Sequence, residues 1–112
     1  MLRKLSVAAV AASLATAVAV VPAQAGSSKT VSVKNNSFSP TSVSIKKGGK
    51  ETWKWTQGGV PHNVTPASGS GSATSSKKGF TFSKTFSKKG TFKYHCTIHG
   101  ASYGMHGTVV VS

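Results

Sequence analysis

The 112-residue chain has a single acidic residue, Glu51, and no aspartate at all. It has one cysteine, Cys96, and one arginine, Arg3, which lies among the first few residues. Each shortage excludes something. One carboxylate cannot build a hard-cation site, which needs several oxygen ligands. No aspartate is available to orient a Cys–His pair, and no oxyanion-hole motif is evident, so a Cys–His hydrolase is a poor reading and the chain is read as a non-enzyme. One cysteine allows no disulfide within the chain, although small exported domains commonly depend on them. Without arginine beyond residue 3, the residue that makes most specific base contacts is missing, and nucleic acid is set aside as a partner.

The chain opens on a short basic start, MLRK, followed by the small-residue apolar run LSVAAVAASLATAVAVVPA and by AQA at 23–25. That layout is a cleavable secretory signal over residues 1–25. Ser13, Thr16 and Pro22 interrupt the run, which argues against retention as a membrane anchor. No Arg-Arg pair precedes it and no cysteine stands near the cleavage site, so the general secretion route is expected and a lipid anchor on cysteine is not. The expected compartment is a periplasm, a cell-wall space or the medium.

Residues 26–112 then form a single domain of 87 residues, near the lower limit for a core that holds without a staple. A bound metal is one such staple. This part carries 12 lysines against Glu51. Such a surface favours anionic partners.

Apolar residues alternate with period two in TVSVK, SVSIK, TWKWT, FTFSKTF, TFKYHC and GTVVVS. KNNS, KKGGK, QGGVP and SKKG supply turns between them. Many short strands at this spacing predict an all-β sandwich or barrel. The Gly/Ser-rich stretch from Pro66 to Gly79 reads as a flexible surface loop.

Cys96 lies in KYHCTIHGASYGMHG, with three of the four histidines and Met105. An odd cysteine in an exported chain is an intermolecular bridge, a reactive thiol, a metal ligand or a small buried core residue. Strand parity puts Cys96 on one face with Phe92 and Tyr94, and Met105 with Val109. His62 shares parity with Val60 and Val64 and is expected to point inward with them. His95 and His106 fall on the outward parity. His62, Cys96, His99 and Met105 thus form a set of two imidazoles, a thiolate and a thioether. Structural zinc prefers several thiolates or four strong ligands, whereas a His₂Cys plane with a weak axial Met is the blue-copper arrangement.

GGVPHNV, YHCTIHG and GMHGTVVV resemble the plastocyanin, pseudoazurin and amicyanin group of cupredoxins. F-x-P-x-x-V-x-I-x-x-G at Phe38–Gly48, followed by TWKWT, resembles that family's early strand pair. The resemblance implies a Greek-key β-sandwich, one copper ion cycling between Cu(I) and Cu(II), and transient one-electron exchange with larger redox proteins by a monomer. It matches His62, His99, Cys96 and Met105 to the ligands, Asn63 to the residue that ties the ligand loops together, and Thr97 to its hydroxyl partner. Pro61 stiffens the approach to His62. His99 corresponds to the electron port, with Pro61, Ile98, Ala101 and Tyr103 as the apolar residues around it. One departure is the interval between His99 and Met105, the five residues GASYG, one more than the plastocyanin pattern. His106 is therefore the competing axial ligand.

Strands 51–56 and 91–96 lead towards His62 and Cys96. The lysine turns that precede them, 46–50 and 87–90, are accordingly expected at the far end, where they could hold the protein at an anionic wall or membrane surface. A copper carrier or buffer using the same ligands is the alternative function. An electrostatic binding module whose metal only stabilises the fold is another.

Overall fold

The computed structural model describes residues 27–112; the expected signal segment, 1–25, lies outside them. Eight strands and one helical turn follow in order. They are β1 (Ser28–Lys34), β2 (Ser37–Ser39), β3 (Ser42–Ile45), β4 (Gly49–Trp55), β5 (Thr65–Pro66), β6 (Thr81–Phe86), β7 (Gly90–His95), α1 (Gly100–Tyr103) and β8 (His106–Val111). They form two four-stranded sheets, β2-β1-β4-β6 and β3-β8-β7-β5. β1 and β4 run parallel, as do β3 and β8, and the remaining pairs are antiparallel. The single all-β domain expected from the alternation is present. No helix among the described residues is long and apolar enough to cross a membrane.

The alternating residues face one another across the sandwich. Val31, Val33, Trp53 and Trp55 come from one sheet, and Val43, Ile45, Tyr94, Val109 and Val111 from the other; all are buried. Tyr94 joins the layers, edge-on to Trp53 with ring centroids 5.1 Å apart and to Phe38 at 4.8 Å. Contacts of this kind add about 0.5–1.5 kcal/mol each beyond area burial. Gly107, directly opposite Tyr94 on β8, makes room for that ring, since a Cβ there would collide with the phenol. Asn35 and Asn36 both adopt positive φ, 50° and 53°. They close the β1–β2 hairpin in the left-handed geometry that suits strand twist.

The registers fix which end is which. Gly48 N–H donates to the Phe86 carbonyl, Lys47 N–H to that of Ser112, and Gly90 pairs with Val111. The turns 46–50 and 87–90 therefore share the end of the sandwich where β8 finishes. Cys96 and Met105 lie at the opposite end, joined by a 3.1 Å bond from the Cys96 amide to the Met105 carbonyl.

The Pro66–Gly79 stretch departs from the loose loop expected of its composition. Pro66 pairs with Tyr94 in β5. Ser72 N–H donates to the Val64 carbonyl, while Val64 N–H donates to Ser72 Oγ. Ser75 bridges His62 in both directions, at 3.0 Å each. Gly71 lies so close to the Val64 carbonyl and Pro66 that a Cβ would not fit. Serine hydroxyls and missing side chains let this segment act as a clamp.

Candidate metal centre

Three elements converge at the end away from the lysine turns. Cys96 follows β7 directly and is fully buried. His99 lies three residues on, half-exposed. His62 arrives from the segment between β4 and β5 and is 1% exposed. Strand parity does not account for His62. Residues 62, 63 and 64 are all buried, and Val60, expected inward, is 37% exposed. The segment belongs to no strand ladder and is held by the His62–Ser75 bridge and the Val64–Ser72 bonds, so it is pressed between the sheet edge and the Gly/Ser clamp with no alternating face.

One candidate ligand atom from each of His62, Cys96 and His99 lies within 4.8 Å of the others. His62 Nδ1 and His99 Nδ1 are 3.1 Å apart, and Cys96 Sγ is 3.8 Å from His99 Nδ1. Metal bonds of about 2.0 Å to nitrogen and 2.3 Å to sulfur, spread in a plane, put nitrogens roughly 3.5 Å apart and sulfur roughly 3.7 Å from nitrogen. The donor set and its spacing fit a single soft or borderline ion. Burial first, and then His99, push the His62 imidazole below its ordinary range. That keeps its lone pair available, because a ligating histidine must be neutral.

Backbone bonds lace the loop that carries the site. Gly100 N–H donates to the Cys96 carbonyl at 2.7 Å, and Tyr103 and Met105 N–H both donate to that of His99, at 3.0 and 3.3 Å. GASYG closes as one helical turn, α1, ended by Gly104 in the left-handed region at φ 65°. Met105 is 1% exposed. His106 is exposed, and its Nε2 lies 3.0 Å from the Gly100 carbonyl, on the other side of β8 from Met105.

Asn63 is the hub between the His62 segment and the loop that follows Cys96. Its Nδ2 donates to Thr97 Oγ1 at 2.8 Å and to Thr74 Oγ1 at 3.0 Å. Its Oδ1 accepts from Thr97 N–H and from Thr65 Oγ1, both at 3.0 Å. Thr65, Ser72, Thr74 and Ser75 belong to no motif in the sequence; the last three are hydroxyls scattered through the low-complexity run.

Pro61, Ile98, Ala101 and Tyr103 are all exposed around this end, Tyr103 at 65%. Val60 adds to them. The Tyr103 ring stands edge-on to His99 with centroids 5.5 Å apart. Lys77 and Lys78 also lie at this end. Their segment packs on 58–62 through Gly59 N–H to the Ser76 carbonyl and His62 N–H to that of Ser75.

Residues 25–112 match the family model described as copper binding proteins, plastocyanin/azurin family. The chain is 35% identical over 86 residues to plastocyanin A/B of Petroselinum crispum, covering 67% of this chain and 87% of the relative. It is 36% identical to plastocyanin of Daucus carota, over the same shares of each chain. Among solved structures it is similar to a reduced Cu(I) mutant of amicyanin, with TM-score 0.64 and 29% identity, covering 74% of this chain and 80% of that one. A purple cupredoxin from Nitrosopumilus maritimus shares the fold, with TM-score 0.63 and 23% identity, covering 74% of this chain and 98% of its own. With the family model spanning every strand and the paired histidines and thiol converging as described, this chain belongs to the plastocyanin/azurin family of copper-binding proteins.

Proposed function

We propose that the protein is an exported, monomeric electron carrier that holds one copper through His62, Cys96 and His99, with Met105 as the axial ligand. The observation that carries this reading is the convergence of His62 Nδ1, Cys96 Sγ and His99 Nδ1 at spacings suited to a trigonal plane. Copper held there would supply a reversible one-electron couple, and the Met105 thioether, a weak donor, would help set its potential. The protein's part is rigidity. Asn63 and the backbone bonds of the loop hold the donors in place, and the buried surroundings limit water. The same lacing favours retention of the metal over ready release, and so a shuttle over a carrier.

The test is a visible spectrum during titration with Cu(II), with Cys96 kept reduced. An intense blue band saturating at one copper per chain, bleached by ascorbate and restored by ferricyanide, is the expected result. A band weighted towards green would put His106 in place of Met105. A weak band of nitrogen and oxygen ligation, or oxidation of the thiol, would overturn the reading.

The half-exposed edge of His99 is the proposed electron port, ringed by Val60, Pro61, Ile98, Ala101 and Tyr103. A small apolar patch suits a partner that docks briefly. Lys77 and Lys78 stand beside it, so the partner's rim is proposed to be acidic. The lysines of 46–50 and 87–90 occupy the far end and leave the port clear when they meet an anionic wall or membrane surface. Tyr103→Ala is expected to slow electron exchange with an acidic redox protein several-fold without altering the spectrum. Raising salt is expected to slow exchange further and to release the protein from anionic vesicles. Stopped-flow rates and vesicle sedimentation check both; insensitivity to salt would remove the electrostatic part.

A further inference from the structure

His95 and His106 take no part in the centre described above. They are direct cross-strand partners on β7 and β8. Both occupy the parity opposite to Tyr94 and Gly107, so they share the outer face of that sheet. Residues opposed in this way have Cβ atoms about 5 Å apart. The two imidazole rings have centroids 6.1 Å apart and planes 32° from parallel. Two imidazoles facing each other across one ion, with metal–nitrogen bonds of about 2.0 Å, have centroids roughly 6 Å apart.

Each ring is also supported. His106 Nε2 lies 3.0 Å from the Gly100 carbonyl. A carbonyl can only accept, so this contact fixes the proton on Nε2 and leaves Nδ1 with a free lone pair. A metal-ligating histidine commonly has its other nitrogen held in just this manner. His95 lies beside Gly100: an ideal Cβ there would stand 3.4 Å from His95 Cδ2, so a side chain at 100 would crowd the ring. Lys93 follows the same outward parity two residues before His95. Its charge weakens cation binding but is exposed and screened by salt.

We infer that His95 and His106 form a second copper site, weaker and more exchangeable than the first, on the outer face of the ligand loop. Imidazole pairs accept several borderline ions, and the Irving–Williams order places Cu(II) ahead of zinc and nickel. Water completes the coordination, since no carboxylate is available nearby. The site is connected to the buried centre through the chain itself. His95 precedes Cys96, His106 follows Met105, and Gly100 belongs to the turn between His99 and Met105. An ion held here lies one residue from two of the proposed buried ligands.

The experiment adds a second equivalent of Cu(II) to protein already loaded with one, and follows electron paramagnetic resonance beside the visible band. The expected result is one further Cu(II) with a tetragonal, nitrogen-coupled signal, bound in the micromolar range, while the visible band stays as it was. His95→Gln and His106→Gln are each expected to weaken the second site at least tenfold. The His106→Gln amide can still donate to the Gly100 carbonyl, and the visible band reports whether either variant has kept its fold. Should one variant fail to fold, the other decides. Undiminished uptake of the second equivalent by a folded variant, or no uptake by the parent, would overturn the inference. The two readings fail separately: a first equivalent without a blue band counts against the buried centre, and uptake of the second equivalent by parent and variants judges the outer site.

Discussion

Asn63→Ala is expected to lower unfolding stability by about 3–4 kcal/mol and to loosen the grip on copper. Four hydrogen bonds end on this one side chain. Each contributes about 0.5–1.5 kcal/mol net, and a donor left buried without a partner costs about 1–3 kcal/mol more. The Thr97 amide, next to Cys96, would lose its acceptor. The cost is not local to Asn63, because the side chain links three segments: the His62 arm, the Cys96 loop and the Gly/Ser clamp at Thr74. Asn63→Asp is expected to do less harm. Its carboxylate still accepts from Thr97 N–H and Thr65 Oγ1, and the other two hydroxyls can turn to donate. Denaturant unfolding of the copper-free protein checks the stability, and the rate of bleaching by a copper chelator checks the grip. A loss under 1 kcal/mol with an unchanged bleaching rate would show that the two loops hold without this hub.

The strands were legible for one physical reason. Where a segment is half-buried and extended, side-chain chemistry alternates with the backbone. Val31 and Val33, Trp53 and Trp55, and Tyr94 and Cys96 all obey that rule. Cys96-x-x-His99 was legible because it pairs ligand chemistry with a strand end. His62 was found by its ligand type and by resemblance, but the parity argued for it does not hold. Val60 lies outside, and three successive residues are buried. Alternation disappears where both sides of a segment are covered, here by the sheet edge and by Ser72–Ser75. The cover itself was hidden by composition. Gly and Ser signal freedom when counted, yet Gly71 is needed for close backbone approach, and the hydroxyls of Ser72 and Thr74 are needed as hydrogen-bond partners. The turn 100–103 is too short to carry a helical period, and only the positive φ of Gly104 marks its end.

Glu51→Gln is expected to stabilise the protein, and to do so only above weakly acidic pH. In KETWKW the same alternation that buries Trp53 and Trp55 puts the chain's one acid on the inner face. Glu51 is 0% exposed, and neither carboxylate oxygen has a hydrogen-bond partner among the described residues. Its register neighbours are Lys29 and Lys84, but Lys29 Nζ donates to the Ser44 carbonyl and Lys84 Nζ lies near Gly69. Burial pushes the carboxyl up from 4.5 to about 7, with Lys29 offsetting a smaller part. The folded state therefore keeps a proton that the unfolded chain has already lost. Below pH 4.5 both states are protonated and the group is neutral in the balance. Between 4.5 and about 7 stability falls as pH rises, and above that window the whole cost is present. At about 1.4 kcal/mol per unit of difference, that cost is up to about 3 kcal/mol. Glutamine has the shape of the protonated acid and cannot ionise, so the variant should match the parent near pH 4 and exceed it by up to about 3 kcal/mol at pH 8. For a domain of this size each kcal/mol moves the melting temperature by about 4–8 °C. Thermal unfolding of the copper-free parent and variant across that range makes the comparison. Curves that stay parallel from acid to alkaline pH would mean that Glu51 ionises alike in the folded and unfolded chains, through water or a lysine reaching it. Curves that diverge through neutrality would establish a buried acid that the fold carries at the expense of its own stability.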